Sequence, residues 1–401
     1  MLNITAKRIT TTMKALLVTF DKYPDLDAGA VRIHMFAKIL QEAGYETFVI
    51  SMGKTTHNRM ILENDGINHI SYRGDSSNTI VKAMYYLEYP IRLYKYLMKA
   101  NVDLIIHTQI DESSLRIIQE YSKRKKIPVL YDSVEWYSES QFLNGKKARG
   151  YKQNNRYNVE LIQKPEAVIA ISSYLRGHFM TRNIRTVQIP VIMDVASTYI
   201  EKSPVGNQVK ILYAGSPGKK DYLVNVFDGL ALLNEEERKK IQLTIAGCTK
   251  EQLVDICGVD RSVLESVNKS LRILGRISRE QVLEEYKNAD FSVLIRPVNE
   301  RYAQAGFPTK FVESMCCSTP VLCNITSDLG EYAKDEFNSV ILDEIDPEHI
   351  AQSFRRVIHM SPELKMNMRK NARNTAVEKF DYHRFSITLL DFIKKCNTLY
   401  R

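Results

Sequence analysis

The sequence predicts an α/β protein made of two parallel-sheet domains that follow one another along the chain. Short apolar runs typical of buried strands alternate with longer stretches of helical periodicity, as in sheets whose parallel strands are joined by crossover helices. This alternation starts twice, before and after a polar stretch at residues 201–208. At 401 residues the chain is also too long for one ordinary core, so two domains of about 180 to 200 residues are expected.

The first series of elements predicts a parallel sheet and one well-marked helix. Its strands are predicted at residues 14–20, 46–51, 104–107, 128–132 and 167–172. The helix is predicted at residues 31–42 and ends before Gly44, because a glycine just past a periodic stretch is a common helix stop.

The second series predicts strands at residues 209–214, 242–247, 271–274, 290–295 and 320–323. We therefore predict a first domain at residues 1–204 and a second domain at residues 205–384. A last helical pattern covers residues 385–399. The segment 385–401 either caps the second domain or packs back on the first, and packing on the first domain is the arrangement that we expect.

Composition is typical of soluble globular proteins. The hydrophobic fraction is 44% and the charged fraction is 26%, and both values are ordinary. No apolar run approaches the roughly 20 residues that a membrane span needs. The apolar stretch at residues 15–18 is far shorter than a signal-peptide core of roughly 7 to 15 residues, so we expect a cytoplasmic chain.

Cysteines and charge narrow the expected chemistry. The six cysteines form no C-x-x-C pair and have no histidines at zinc spacing, so reduced, structural thiols are expected. A formal net charge of +9 suits anionic ligands or anionic lipid. Nucleic acid is not expected as a partner, because no helix-turn-helix or aromatic-basic RNA motif accompanies the charge.

The most informative segment runs from residue 291 to residue 324. It predicts a buried strand at 291–295, a long polar loop, a helix that starts near Pro308, and a strand at 320–323. Free N–H groups and the positive end of the helix dipole favour a phosphate at such a helix start. Lys310 adds positive charge and Glu313 can accept hydrogen bonds from sugar hydroxyls, so these residue types suit a nucleotide-sugar.

Short motifs along the chain carry a family resemblance. They are GAVR at 29–32, AIS at 170–172, ILYAG at 211–215, LGR at 274–276, YKNAD at 286–290 and PTKFVE at 308–313. In order and spacing they resemble the GT-B nucleotide-sugar glycosyltransferases, in particular the large retaining group called glycosyltransferase family 4. The resemblance implies two Rossmann-like domains that face a cleft. It also implies transfer of a hexose, with retention, from a UDP- or GDP-linked donor to a saccharide or lipid-linked saccharide acceptor in surface-polysaccharide biosynthesis.

The resemblance implies a donor site carried mainly by the second domain. Glu313 resembles the second glutamate of the family's E-x7-E motif, which binds the ribose, and Lys219 and Lys220 resemble its diphosphate lysine. Either lysine would stabilise the phosphate charge that develops as the sugar leaves. The other donor residues expected are Gly215, Gly275, Arg276, Ile277, Arg296, Phe307, Pro308, Thr309 and Lys310.

Each donor assignment has a structural alternative. Glu313 also fits an acidic residue that complements the helix dipole. The two lysines also fit a solvated turn, and Arg296, directly after a buried strand, also fits a structural ion pair.

One position departs from the family's pattern. Eight residues before Glu313 stands Ala305, where the family usually has the first glutamate of the motif. Some relatives with a P-x-K-x-x-E version also lack that glutamate, and Glu300 in the same loop is a candidate substitute. The departure leaves the donor sugar undetermined.

The first domain is expected to supply the acceptor side. Gly29 would let backbone N–H groups approach the diphosphate across the cleft, and His107 ends a predicted strand near the family's acceptor-side histidine. Asp132, Glu135 and Trp136 resemble an acidic-aromatic loop suited to hydroxyl binding and sugar stacking. The alternatives are a satisfied strand-end histidine and a half-buried tryptophan that anchors a loop. The predicted catalytic group is Lys219, Lys220, Glu313 and His107.

The segment Asp25-Leu26-Asp27 matches the D-x-D metal motif of a different glycosyltransferase fold. Its position in the loop after the first strand indicates coincidence. We predict no required metal and no other cofactor, because the nucleotide-sugar is itself a substrate.

A peripheral membrane contact is a further expectation. Residues 80–98 mix tyrosines with Lys82, Arg92 and Lys95, and residues 146–156 add more basic side chains. Such a surface suits docking on anionic lipid at the inner face of the cell membrane. The alternative is a domain helix interrupted by Pro90 together with a solvated loop.

Two other functions stay open from the sequence. One is a non-catalytic GT-B accessory subunit that has lost turnover with Ala305, and the other is a sugar-nucleotide epimerase. An NAD-linked Rossmann enzyme is disfavoured, because the loop after the first strand contains no G-x-G-x-x-G.

Overall fold

The structure is a computed structural model and describes residues 12–24, 27–55, 57, 59–74, 76–216 and 220–398. These residues form two β-sheets, each flanked by helices. In β1 (Lys14–Thr19), alternate side chains face two different hydrophobic clusters: Leu16 and Val18 lie in one, and Ala15 and Leu17 in the other. A strand that is apolar on both faces is typical of a parallel sheet covered on both sides.

The first sheet has the strand order β3-β4-β2-β1-β5-β6-β7-β8. Its other strands are β2 Glu46–Thr55, β3 Ile61–Asn64, β4 Ile67–Gly74, β5 Leu104–His107, β6 Val129–Ser133, β7 Ala167–Ala170 and β8 Arg185–Gln188. The pairs are parallel except for the hairpin of β3 and β4. Its helices are α1 Ala28–Glu42, α2 Thr79–Ala100, α3 Glu112–Lys125, α4 Arg149–Arg156 and α5 Ser173–Thr181.

The second sheet is parallel throughout, with the order β11-β10-β9-β12-β13-β14. Its strands are β9 Val209–Ala214, β10 Ile241–Ala246, β11 Leu271–Gly275, β12 Phe291–Leu294, β13 Val321–Asn324 and β14 Ser339–Leu342. The remaining helices are α6 Leu223–Ala231, α7 Glu235–Lys239, α8 Lys250–Asp255, α9 Arg261–Ser266, α10 Arg279–Asn288, α11 Arg301–Ala305, α12 Thr309–Cys316, α13 Pro347–His359, α14 Pro362–Lys379 and α15 Ser386–Asn397.

In both sheets the strand order reverses at the first strand of the domain. β1 lies between β2 and β5, and β9 lies between β10 and β12. Ligands of open α/β sheets bind at the carboxyl ends of the strands, at such switch points. The fold class predicted from the sequence is confirmed, and it points to the loops that follow β1, β5, β9 and β12.

Several elements differ from the sequence expectations. The sequence did not predict strands β3, β4, β8 and β14, which lie at or near the sheet edges. Helix α2 runs through Pro90 without interruption, which corrects the predicted break. Its buried Tyr89, Leu93 and Leu97 pack into the first core on either side of the proline. The loop after β12, predicted as irregular, contains the short helix α11.

The C-terminal helix α15 packs against the first sheet. Its Leu389, Phe392 and Ile393 belong to the same cluster as Leu17 and Leu40. The segment that leads into α15 meets the first domain at Met193, whose N–H donates to the Phe380 carbonyl at 2.9 Å. Crossing back to the first domain is therefore the arrangement adopted, and capping of the second domain is not.

One hydrophobic cluster holds the two domains together. Val191 and Met193 from the end of the first domain share it with Phe307 and Phe311 from the second. The Phe380 ring completes it, with its centroid 5.9 Å from that of Phe307. Because this cluster lies beside the carboxyl ends of both sheets, it keeps the loops of the two switch points facing each other.

Helix α2 allows a direct test of which of its faces stabilises the fold. Leu93 is 0% exposed and Leu87 is 74% exposed. Replacement of a buried leucine by alanine removes apolar contacts and leaves a cavity, so Leu93→Ala should lower the free energy of unfolding by about 2–5 kcal/mol. Leu87→Ala, the matched control, should change it by less than about 0.5 kcal/mol. Urea unfolding measures both, and equal effects would contradict the placement of α2.

Candidate functional site

The cleft between the two domains contains a cavity of about 380 Å³. Most of its wall comes from the first domain, including the loops that follow β1, β5 and β6, and the second domain contributes Phe307 and Thr309. Thr309 opens α12, with Pro308 as its N-cap. The helix start predicted to face a ligand therefore does lie at the cleft, beside buried Phe307 and buried Pro308.

A cluster of ionised side chains lies next to this helix start. The Arg296 guanidinium Nε donates to Asp221 Oδ1 at 3.0 Å, and the Lys310 ammonium donates to Asp221 Oδ2. Lys310 also donates to the Tyr213 hydroxyl at 2.7 Å, and that hydroxyl donates to Asp221 Oδ2 at 2.9 Å. The Arg296 and Lys310 side chains are 13% and 21% exposed. The cluster is thus mostly desolvated, and a part of each cation remains exposed.

The electrostatics of this cluster follow from burial and from the ion pairs. Burial alone would raise the pKa of Asp221, but Lys310 and Arg296 outweigh it and hold this pKa well below the usual range. Burial lowers the pKa of the Lys310 ammonium, while Asp221 counteracts the shift. One carboxylate between two cations leaves a net positive charge at the start of α12.

Gly215 makes room for the Lys310 side chain. It follows β9 with a φ of +146°, and a Cβ on it would lie 2.3 Å from Lys310 Cε. A larger residue would displace the Lys310 side chain, and the positive φ also favours glycine. Gly215 therefore allows the Lys310 side chain to pass close to the turn that follows β9.

Glu313 lies one turn into α12 and is paired with Arg279. The distance from Arg279 Nη1 to Glu313 Oε1 is 2.9 Å, and the Glu313 side chain is 20% exposed. The ion pair uses Oε1 and holds the carboxylate in one orientation. This arrangement suits hydroxyl binding by Glu313 Oε2. The sequence analysis did not predict the role of Arg279 in orienting this carboxylate.

The residues expected to meet the nucleotide base lie at the end of β11 and directly after it. Gly275 accepts a hydrogen bond from the Gly247 N–H at 2.7 Å, and the latter glycine follows β10. Arg276 is exposed and Ile277 is half-buried. The loops after β9, β10 and β11 thus lie side by side at the same edge of the second sheet.

One ion pair crosses the cleft. The Lys220 ammonium, at the end of the glycine turn of the second domain, pairs with Glu135 of the first domain. Both side chains are about one-third exposed. Lys219 lies outside the described residues, as do Pro217 and Gly218 of the same turn.

The first-domain wall of the cavity is acidic. Asp21, Asp132 and Glu135 all line it. Asp132 is held by Arg32, whose Nε and Nη2 donate to its carboxylate at 2.9 to 3.0 Å. Its buried ion pair makes Asp132 part of the wall rather than a free acceptor of hydroxyl protons. Asp21 and Glu135 are the carboxylates best placed for that role.

Asp21 is a cavity residue that the sequence did not single out. Burial raises its pKa to about 6, and Asp27, Asp132 and Glu135 act in the same direction against a hydrogen bond from Thr19. A Cβ on Gly29 would lie 2.3 Å from the Asp21 carboxyl carbon. Gly29 therefore lies at the cleft as expected, but it makes its close approach to a carboxylate.

Two first-domain expectations need correction. His107 is 0% exposed, its Nδ1–H donates to the Thr108 carbonyl at 2.8 Å, and its ring lies against the Tyr131 ring. Burial lowers its pKa to about 4, so it is an internal residue of β5 rather than a catalytic group in the cleft.

Trp136 does not stack in the cavity with Glu135. Its ring packs against His178, with centroids 4.3 Å apart, and under the Arg301 guanidinium at 4.6 Å. Successive side chains of an extended segment point in opposite directions, and this turns Trp136 away from its neighbour. Its role here is to anchor the loop after β6.

The departure at Ala305 also has a structural setting. Ala305 is 0% exposed in the cluster that joins the domains, and its carbonyl accepts from the Ser172 hydroxyl at 2.6 Å. Glu300, the candidate substitute, accepts from Ser140 of the first domain at 2.9 Å. The segment thus serves interdomain contact, and a carboxylate at position 305 would be buried.

No group of three or more His, Cys, Asp or Glu side chains that could hold a metal ion occurs among the residues whose structure is described. In the D-x-D segment, Asp25 and Leu26 lie outside that part of the chain. Asp27 caps α1, because its Oδ1 accepts from the Ala30 N–H at 2.9 Å.

Asp21→Asn should stabilise the protein near neutral pH. In the unfolded chain this carboxyl loses its proton near pH 4, whereas in the folded protein it keeps the proton to about pH 6. The folded state therefore binds more protons in this window, and the free energy of unfolding falls as pH rises through it. Because asparagine cannot ionise, we expect a gain of about 2 kcal/mol at about pH 8 that shrinks toward about pH 4.

Urea unfolding at the two pH values measures this difference. The matched control is Asp255→Asn, which replaces an exposed acid on α8 and should change the free energy of unfolding by less than about 0.5 kcal/mol. A variant of Asp21 that is no more stable than the wild type at the higher pH would contradict the raised pKa.

Comparisons with known proteins agree with this geometry. The protein-family model described as "Glycosyl transferases group 1" matches residues 197–375. An uncharacterised glycosyltransferase of Methanocaldococcus jannaschii, MJ1069, is 21% identical over 277 residues, which are 65% of this chain and 66% of that protein. The match thus spans just under two thirds of the length of this relative.

Solved structures share the whole architecture. Sucrose-phosphate synthase from Thermosynechococcus elongatus superposes with a TM-score of 0.74 at 14% identity, over 95% of this chain and 98% of that one. Anabaena HepE in complex with UDP has a TM-score of 0.66 at 14% identity, over 96% and 100%. WaaG, a glycosyltransferase involved in lipopolysaccharide biosynthesis, has a TM-score of 0.66 at 16% identity, over 94% and 99%.

The family motifs, the two facing parallel sheets and the domain match at residues 197–375 lead to one assignment. Residues 197–375 match the group 1 glycosyltransferase domain, and the chain as a whole has the GT-B fold.

Proposed function

We propose that the protein moves a hexose from a UDP- or GDP-linked donor, with retention, to a saccharide or lipid-linked saccharide acceptor in surface-polysaccharide biosynthesis. The observation that carries the proposal is a division of charge across one cleft. The second domain presents Arg296 and Lys310 at the start of α12, and the first domain presents Asp21 and Glu135 in the cavity wall.

The cationic side suits the donor diphosphate. Lys220, Lys310 and Arg296 supply positive charge beside the N–H groups at the start of α12, where an anion is favoured. A diphosphate that enters the cleft would replace Glu135 as the partner of Lys220. Lys219 in the same turn is proposed to share this role.

The rest of the donor is proposed to follow the edge of the second sheet. Glu313 Oε2 would accept from a ribose hydroxyl, since Arg279 already orients the carboxylate through Oε1. Gly275, Arg276 and Ile277 would contact the base. The UDP and UDP-glucose complexes of HepE, a protein with the same fold, support a nucleotide-sugar in this class of cleft.

The acidic side suits a hydroxyl-rich acceptor. Carboxylates and amides pair well with sugar hydroxyls, and Asp21, Glu135 and Asn154 line the cavity together with the Tyr137 ring. We propose no nucleophilic side chain of the protein for this reaction. The reaction would instead depend on the positioning of acceptor and donor and on stabilisation of the leaving diphosphate by the cations. No metal takes part in this proposal.

Removal of the Glu313 charge tests the donor site. Glu313→Gln keeps the size of the side chain but weakens its hydrogen bonds to ribose hydroxyls and to Arg279. Hydrogen bonds to a charged group contribute about 1.5–3 kcal/mol, so the affinity for UDP or GDP should fall at least about tenfold. Calorimetric titration measures it, and the exposed Glu363→Gln on α14 is the matched control.

Turnover in the absence of acceptor separates the remaining candidates. Slow release of UDP from UDP-hexose, or of GDP from GDP-hexose, supports a transferase. Binding without release would favour the accessory subunit that Ala305 suggests, and a changed sugar without release would favour an epimerase. A wild-type protein that binds none of these nucleotides would overturn the proposal.

The membrane contact is also proposed, on a surface that the structure defines more closely. No helix of the described chain is long and apolar enough to cross a bilayer. Helix α2, however, exposes an apolar stripe to solvent: Ile80, Met84, Leu87, Ile91, Tyr94 and Met98. Basic residues flank it at Lys95 and Lys99 and on the last turn of α3, at Lys123, Arg124 and Lys125. An amphipathic face edged by cations suits the inner face of an anionic membrane.

Two residues of the second predicted basic segment are paired with acids of the protein. Lys146 is 3.6 Å from Glu139, and Arg156 is paired with Glu112 and Glu160. Because these acids partly neutralise the two residues, Lys146 and Arg156 attract anionic lipid more weakly than unpaired cations do.

Sedimentation with phosphatidylglycerol-containing vesicles tests this surface. The double variant Leu87→Glu, Ile91→Glu removes two exposed apolar side chains whose burial is each worth about 1.5–3 kcal/mol, so binding should weaken at least about tenfold. Ile387→Glu, on α15 and 75% exposed, is the matched control and should bind as the wild type does. Wild-type protein that stays in the supernatant at low salt would rule out the contact.

A further inference from the structure

We propose that Asp221 is a positioning residue that holds Lys310 and Arg296 together as one preformed receptor for the donor diphosphate. Neither the family resemblance nor the sequence assigns this residue a role. The inference rests on the proposed function, because it concerns the same donor site. The inference adds that the carboxylate of Asp221 is required for binding of the anionic diphosphate.

The geometry gives Asp221 contacts to both cations. Arg296 Nε lies 3.0 Å from Oδ1, and the Lys310 ammonium contacts Oδ2. The Tyr213 hydroxyl joins the same oxygen at 2.9 Å and accepts from Lys310 at 2.7 Å. Both oxygens of one carboxylate are thus used, one for each cation.

The position of Asp221 explains why the arrangement is rigid. Its side chain is 5% exposed, and a buried carboxylate is stable only when paired and hydrogen-bonded. Arg296 is fixed further, because its backbone N–H donates to the Asn324 side chain at 2.9 Å. Lys310 is confined by Gly215 above its stem. The two cations therefore have their positions before a ligand arrives.

A preformed receptor has a functional consequence. Two desolvated cations side by side repel each other. Without Asp221 either side chain would turn toward solvent, or the Lys310 ammonium would lose its proton. With Asp221 between them, the pair keeps a net positive charge that faces the start of α12. Charge that is already oriented toward a developing phosphate anion needs no reorganisation when the sugar leaves.

A competing role for the same contacts would be a latch, in which Asp221 occupies the cations until the diphosphate displaces it. The two roles give opposite signs for one substitution. If Asp221 competes with the ligand, its neutralisation strengthens diphosphate binding. If Asp221 positions the cations, its neutralisation weakens binding even though a negative charge has been removed from an anion site. The burial of Asp221 and its hydrogen bond from Tyr213 favour positioning.

The test uses the full-length protein and calorimetric titration with UDP, GDP, uridine and guanosine. Asp221→Asn should weaken the binding of the nucleoside diphosphate at least about tenfold and change the binding of the nucleoside less than about twofold, as expected when charge-assisted contacts to phosphate are lost. The matched control is Asp228→Asn, on α6 and seven residues after Asp221 in the sequence. This variant should bind as the wild type does.

A double-variant comparison shows through which group Asp221 acts. Lys310→Met should produce the same selective loss, and Asp221→Asn combined with Lys310→Met should bind only slightly more weakly than Lys310→Met alone. Losses that multiply in the double variant would overturn the inference, as would an unchanged or higher diphosphate affinity of Asp221→Asn.

Tyr213→Phe covers the case in which Asp221→Asn does not fold. It removes one hydroxyl from the network and keeps the carboxylate, so a smaller loss of about threefold, again confined to the diphosphate, is expected. No loss would count against the inference. A wild-type protein that binds neither UDP nor GDP would instead overturn the proposed function itself.

Discussion

The two parallel sheets face each other because a single hydrophobic cluster spans both domains. Phe307 and Phe311 of the second domain and the crossing residue Phe380 pack with Val191 and Met193 at the end of the first. Ligands of such sheets bind where the strands end, so this packing brings two binding edges into one cleft. The placement of every charged group discussed above depends on that contact.

Within the cleft, the two edges carry opposite charge. Arg296 and Lys310 lie where β12 and the following loop end, and Asp21 and Glu135 lie at the ends of β1 and β6. The ion pair of Lys220 and Glu135 joins the two edges. A diphosphate and a hydroxyl-rich acceptor differ in charge in the same way, so each edge is suited to a different part of one reaction.

Most of the fold could be predicted from local pattern. The central strands of both sheets are short apolar runs buried on both faces, and these stand out in any sequence. Strands β3 and β8 are at sheet edges, where exposed and half-exposed positions such as Arg185 and Thr186 break the apolar signal. The predicted break at Pro90 was wrong because tertiary contacts of Tyr89 and Leu93 stabilise the helix. These contacts outweigh the local preference of proline against a helix interior.

The order of the elements, the GT-B resemblance and the presence of Lys310 and Glu313 at one helix start could be predicted from the sequence alone. Spacing along the chain is enough for that, because residues one turn apart share a helix face. The three-dimensional packing was needed to show that Asp221 joins Lys310 to Arg296 and that Arg279 orients Glu313. It was also needed to show that His107 and Trp136 lie away from the cavity. Burial and ion pairing depend on which distant segments meet, and residue type does not carry that information.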